Sequence, residues 1–393
     1  MSDSLEKLAR QWTQALAVEL PGAVALRHEL HASPCVSGQE EPTALRVTEA
    51  IGADLVREVV AGTGRILRLG PPGPAIGLRA ELDALPMVEL TGAAYASTNG
   101  AMHACGHDVH LAAITALARA ARGLDLPVGL AVVLQPREEV GPTGAQDIVT
   151  AGALARHEVV AFVGAHVQPQ VAAGHVTSDA GPVNAAVDEV EISITGRGGH
   201  GAYPHLAVDP VPALCRAVLA MQDAARSAVD PMQPVVVTMT QLSGAGAPNV
   251  IPDQASAAGT VRTMRAEDAD RLHADIRRTV EGIASAHGCT GTYHIRRGEP
   301  ALVNNPALAL ATSRWLTELD VPVASFASCG SDDFATYGLQ VPILMLFVGT
   351  GQGAAGPMLH DPRYLPGDEV VALVARTLLT GWLGAAQVHA AAS

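Results

Sequence analysis

The stretch AIGLRAEL, residues 75–82, decides the fold. It is a short apolar run behind the Pro/Gly punctuation of LGPPGP, and that setting predicts a buried strand. Two similar runs follow, VGLAVVLQP at 128–136 and VVAFVGAHV at 159–167. Helical spacing fills the gaps, at 110–122 and around 143–154. A β-α-β-α-β alternation of this kind predicts a parallel sheet covered by helices. Upstream, Leu5, Leu8, Trp12, Leu16 and Leu20 mark an amphipathic helix over 5–20, and 42–58 reads as a second.

The pattern changes at VDEVEISITG, residues 187–196, which alternates apolar and polar residues as a half-exposed strand does. A helix at 209–226, strands near 234–243 and 254–263, a helix at 266–287 and a strand at 290–296 follow. That order, β-α-β-β-α-β, is the ferredoxin-like arrangement with an antiparallel sheet. Beyond Pro300 the first pattern resumes: a helix at 305–319, the buried strand VPILMLFVG at 341–349 and a helix at 368–384. The expected class is therefore α/β, with a discontinuous domain of 1–182 and 297–393 interrupted by an α+β insertion at 183–296.

Bulk composition agrees. A chain of 393 residues suggests two domains, and 48% hydrophobic with 16% charged residues predicts packed cores. The net charge of −14 leaves no basic surface for nucleic acid. No run of 18 apolar residues and no signal-peptide core is present, so no membrane association is expected. Five scattered cysteines (35, 105, 215, 289 and 329) suit a reducing compartment, and a cytoplasmic location is expected. Lys7 is the only lysine, which excludes a Schiff-base lysine and a GxxxxGK[ST] phosphate loop. No GxSxG nucleophile elbow occurs either.

Ligands of open parallel sheets bind beyond the carboxyl ends of the strands. Glu81 and Asp83 end the first strand, Arg137, Glu138 and Glu139 follow the second, and His166 lies at the end of the third. Cys105, His107 and Asp108 stand before the helix at 110, within NGAMHACGHDVH, and His360 follows the strand 341–349. Singly, each has an ordinary explanation: a satisfied core histidine, a solvated Glu pair, a small buried cysteine or a helix cap at Asp108. Together, carboxylates beside several imidazoles need a cation, since otherwise the like charges repel. Five ligand groups exceed what one tetrahedral zinc with an open position needs, so two ions sharing a ligand fit better. Of the adjacent glutamates, one can bind metal while the other, pointing the opposite way, takes a proton from water.

The segments RHELHASP, LRAELDALPM, NGAMHACGHDVH, LQPREEVGPTGA, ITGRGGHGAYPHLAVDPV, NVIPD, GTVRT, GSDDF and LHDPRY resemble the aminoacylase/carboxypeptidase metallohydrolase family, and in particular its amidohydrolase branch. The matches span most of the chain. The resemblance implies a catalytic α/β domain with an inserted lid that forms a homodimer. It implies two divalent ions, zinc or manganese, held by Cys105 as the bridging ligand with His107, Glu139, His166 and His360. Glu138 would be the general base and then acid, and Asp83 would orient a metal ligand. His200 on the lid would steady the tetrahedral oxyanion, reaching the neighbouring subunit's site, while Asn249, Arg262 and Arg297 would hold the substrate. Cys35 and Asp332 stand where related sequences often carry Glu. His103 and His110 acquire no role beyond support or solvent exposure.

The expected reaction is hydrolysis of N-acyl or N-aroyl amino acids. A dipeptidase or carboxypeptidase on the same fold is the nearest alternative, although peptidase relatives usually carry Asp at the position of Cys105. A non-catalytic metal-binding scaffold would have no need of Glu138, and a Cys105 nucleophile would leave Glu138, Glu139 and His360 without purpose.

Overall fold

The computed structural model describes residues 3–351, 353 and 356–392. The chain divides into two compact units, one of 1–181, 303–326 and 333–393, the other of 182–302 and 327–332.

The first unit is built on an eight-stranded sheet. Its order is Val56–Val60, Gly64–Leu69, Gly129–Gln135, Ala75–Glu81, Val159–Gln168, Ile343–Gly349, Val176–Thr177 and Val323–Ala324. The four middle strands run parallel. Every residue of Ala75–Glu81, Gly129–Gln135 and Ile343–Gly349 is buried, as expected for strands covered on both faces. The helices Asp3–Ala32, His107–Ala121 and Glu369–Ala392 share one hydrophobic core with this sheet. Trp12 meets Trp382 edge-on at 5.0 Å between ring centroids, and its indole N–H donates to Leu117 O at 3.1 Å. Helix Glu369–Ala392 is long and apolar enough to cross a membrane, but 78% of its most hydrophobic window is buried in the protein, as a core helix requires.

Two expectations about this unit need correcting. The helix over 42–58 stops at Ile51, because Gly52 takes a φ of +137°. Residues Val56–Val60 then pair antiparallel with Gly64–Leu69, a hairpin hidden by an apolar spacing that fits either period. The first helix runs through Pro21 to Ala32, its buried stripe continued by Ala23, Leu26, Arg27, Leu30 and His31.

The second unit contains the strands Ala186–Thr195, Val235–Ser243, Gln254–Thr263 and Thr290–Arg297 and the helices Pro210–Ala228 and Ala266–Ala286. Sheet order places Gln254–Thr263 and Thr290–Arg297 on either side of Ala186–Thr195, all antiparallel, with Val235–Ser243 at one edge. This is the ferredoxin-like topology. Its core includes Ile192, Ile194, Met221, Leu272 and Ile276. Residues 297–302 and 327–332 cluster with this unit rather than with the first. Gly298 N donates to Val187 O at 3.0 Å, and Ala185 N and Ser328 N close further bonds to Gly330 O and Val183 O.

The parallel strands end together at Glu81, Gln135, Gln168 and Gly349, so the segments that follow them emerge at one edge of the first sheet.

Candidate metal centre

At that edge the helix His107–Ala121 begins immediately after Cys105 and Gly106. Gly106 has a φ of +81°, a left-handed conformation that glycine adopts without cost, and a Cβ there would meet Val167 Cγ2 at 2.5 Å. The turn lets Cys105 and His107 face one point. The Cys105 thiol, a His107 nitrogen and a His166 nitrogen lie within 4.8 Å of one another, and Cys105 Sγ is 3.4 Å from His166 Nε2. All three residues are buried.

Both imidazoles are held in one tautomer. His107 Nδ1 donates to Asp83 O at 2.8 Å, and His166 Nδ1 donates to Val167 O at 2.7 Å. A carbonyl can only accept, so each ring presents an unprotonated Nε2 when neutral. His107 Nε2 is buried and has no hydrogen-bond partner. A lone pair left in that state costs ~1–3 kcal/mol unless something fills it.

A second group shares Cys105: its thiol, a Glu139 oxygen and a His360 nitrogen also lie within 4.8 Å of one another. His360 Nε2 is 3.3 Å from Glu139 Oε1. His360 has a φ of +67°, and its backbone N donates to Ala104 O at 3.0 Å, which ties its loop to the residue before Cys105. Arg137, two residues before Glu139, has a φ of +48°. Such conformations cost ~1–3 kcal/mol for residues other than glycine and concentrate at functional sites. Glu138 Oε2 is 3.8 Å from His107 Nε2, and His107, Glu138 and Glu139 form a third close group.

Asp83 fastens two of these segments by different atoms. Its carbonyl holds His107, while its Oδ2 accepts from Glu139 N at 3.0 Å and Ser37 Oγ at 2.7 Å. Burial works against a charge on His107, but the carboxylates of Glu81, Asp83 and Glu139 outweigh it and raise its pKa. Burial likewise pushes Glu139 up, and the hydrogen bond to His360 with the charge of His107 brings it below its ordinary value. The pocket thus carries a field that holds positive charge in a buried place.

Behind the centre lies a network that sequence reasoning did not assemble. His110 Nδ1 donates to Glu81 Oε2 at 2.8 Å, and its Nε2 accepts from Val167 N at 3.0 Å. With both nitrogens used, His110 supports the strand that carries His166 and is not itself a ligand, although Glu81, His110 and His166 are close. Arg79 bridges Glu81 Oε1 at 2.8 Å and Asp333 Oδ1 at 3.0 Å, and donates to Gln135 Oε1 at 3.0 Å. Burial raises the Glu81 carboxyl, but Arg79, His110 and His107 hold it well below the usual carboxylate range. Substituting Arg79 with Met would strip the guanidinium from two buried carboxylates. We expect Arg79→Met to destabilise the protein by about 3–5 kcal/mol in urea unfolding.

Asp108 proves not to be a helix cap. Gly106 occupies that position, and Asp108 Oδ2 instead accepts from Arg27 Nε at 3.1 Å and His31 Nδ1 at 3.0 Å. His103 is buried rather than solvent-exposed, and burial pushes its pKa down to about 3.

The substrate-holding residues expected on the insertion fall into three places within the second unit. His200 and Asn249 are neighbours and exposed: Gly199–His200 pairs with Val250–Ile251, and Gly201 N donates to Asn249 O at 2.8 Å. Arg262 sits near the far end of the strand Gln254–Thr263, eight residues or roughly 26 Å from Gln254, and donates to Cys329 O at 2.9 Å. Arg297 is already engaged by Asp188 Oδ2 at 2.9 Å and Asp270 Oδ1 at 2.6 Å. Asp188 also bonds His273 Nε2 at 2.7 Å, so Arg297 belongs to an internal ion network of this unit.

The donor set therefore fits two cations. Two three-residue groups overlap at one thiolate, two imidazoles present oriented lone pairs, and one carboxylate stands beside them without being needed as a ligand.

Comparison with known proteins agrees with this geometry. The model of peptidase family M20/M25/M40 matches residues 77–380. A probable hydrolase of Synechocystis sp. is 36% identical over 88% of this chain and 91% of its own length. The N-acetylcysteine deacetylase of Bacillus subtilis is 31% identical over 90% of this chain and 94% of its own. Among solved structures, the Bacillus subtilis YXEP protein, described as a dinuclear metal binding peptidase, superposes with a TM-score of 0.82 at 28% identity. That match covers 93% of this chain and 98% of the other.

Proposed function

Because the chain belongs to peptidase family M20/M25/M40, we propose that this metal-dependent amidohydrolase cleaves the amide bond of N-acyl or N-aroyl amino acids, releasing a carboxylate and a free amino acid. The observation that carries the reading is the overlap of two ligand groups at Cys105, with Glu138 at their side. Cys105, His107, Glu139, His166 and His360 would hold two divalent ions. The thiolate and imidazoles suit zinc, and the carboxylate also admits manganese. When bound, such a pair polarises an amide carbonyl and lowers the pKa of water.

The chain's own residues supply the rest. Glu138 accepts the proton of the attacking water on a carboxylate oxygen and later delivers it to the nitrogen of the departing amine. Asp83 holds the His107 ring and the Glu139 backbone in place. His200 and Asn249 are at the opposite end of the second unit's sheet from Arg262. In the proposed homodimer His200 reaches the neighbouring subunit's substrate, and Asn249 and Arg262 help to hold the substrate. The five free cysteines suit a cytoplasmic enzyme.

A panel of N-acyl amino acids and dipeptides, run on chelated and metal-reloaded protein, tests the reading. Chelator-sensitive turnover of N-acyl amino acids, at rates at least about tenfold above the matched dipeptides, is the expected outcome. A reversed preference would make the protein a dipeptidase, and metal binding with no turnover would make it a scaffold.

A further inference from the structure

Three apolar side chains stand in water beside the proposed metal ligands. Val88 is 71% exposed, Leu90 57% and Val140 53%. Large apolar residues exposed singly are ordinary, but these three lie on segments that carry or adjoin proposed metal ligands, and part of the structure is spent on keeping two of them outward. Val140 follows Glu139 directly. Leu90 N donates to Pro362 O at 2.8 Å, two residues beyond His360. Since Glu139 and His360 meet at Cys105, the segments carrying Leu90 and Val140 both lead to that group.

Between Val88 and Leu90 lies Glu89, whose side chain is fully buried. Its Oε1 accepts from His31 Nε2 at 3.1 Å, and its Oε2 accepts from Ser97 N at 2.6 Å. Exposure alternates across 88–90, with Val88 and Leu90 outward and the Glu89 side chain inward. Fixing Glu89 inward therefore turns Val88 and Leu90 outward. Burying a carboxylate is expensive unless it is paired, so a loop needing only to be covered would place an apolar residue at 89.

We propose that Val88, Leu90 and Val140 form the binding strip for the acyl group of the substrate, and that the enzyme selects long aliphatic or aromatic acyl groups over acetyl. This rests on the amidohydrolase reading above. The other half of an N-acyl amino acid carries a carboxylate, for which an apolar strip offers no donor. The acyl chain is the part that gains by leaving water, by about three- to fourfold in affinity per methylene covered.

The test is the ratio of kcat/KM for N-hexanoyl over N-acetyl derivatives of one amino acid, measured on the metal-loaded enzyme. The wild type should show a ratio of at least about 10. Val88→Ser with Leu90→Ser, and separately Val140→Ser, should each lower that ratio severalfold. A general loss of folding or metal would depress both substrates and leave the ratio standing. A ratio near one in the wild type, or one that the Ser variants do not change, overturns the strip while leaving the amidohydrolase reading intact. If no N-acyl amino acid of any length is cleaved, that reading fails and the strip falls with it.

Discussion

Glu138→Gln is expected to bind both metal ions and lose turnover by a factor of roughly 10³–10⁴. The substitution keeps the size of the side chain and removes its ability to carry a proton. Glu138 lies 3.8 Å from His107 Nε2 by its Oε2, near the centre, and the two Cys105 groups are complete without it. Metal content by elemental analysis should therefore match wild type while kcat collapses. Because the residue would act as base and then as acid, the loss should persist across pH rather than shift along it. An enzyme that retained even a tenth of its activity would exclude Glu138 as the proton carrier. Loss of metal together with activity would make it a ligand instead.

Cys105→Ala should have an effect of similar size through a different route. Cys105 is the residue common to both candidate groups, so on the proposed assignment its removal would take a ligand from each ion at once. We expect the stoichiometry to fall from two ions per chain to one or none. Activity should drop below about a thousandth of wild type and should not return when zinc or manganese is added in excess. Cys105→Asp distinguishes the ligand role from a nucleophilic one: a carboxylate can bridge two cations but cannot repeat thiol chemistry, so partial recovery of metal and activity supports the bridge. A Cys105→Ala protein holding two ions would overturn the assignment.

The main architecture was legible in the chain because strand burial leaves a plain trace. The runs at 75–82, 128–136 and 159–167 have no polar face, whereas 187–196 alternates, and that contrast separates a sheet covered on both sides from one covered on a single side. The hairpin of 56–69 escaped because a five-residue strand with two charges offers too few periods to outvote the helix before it. That the candidate ligand segments meet was legible because the ends of parallel strands are where chemistry collects. The supporting network was not, since Arg79, Gln135 and Asp333 come from positions up to 254 residues apart and nothing local joins them. One signal was available: AIGLRAEL places Arg79 and Glu81 inside a strand buried on both faces, and charges there must find partners. Arg297 shows the converse case. An arginine at a strand end looks free for an anion until the fold supplies Asp188 and Asp270.

The bond from His360 N to Ala104 O closes a circuit of 256 residues, and the whole second unit is threaded within it. During synthesis the ribosome must therefore make the helix at 107, the strand at 159 and an entire intervening domain before His360 emerges. A nascent chain can offer Cys105, His107 and His166 to a single ion long before His360 exists. A chain stalled or clipped within residues 182–302 would carry Cys105, His107 and His166 but lack His360, and it would also lack the segments 303–326 and 333–393 that complete the first unit.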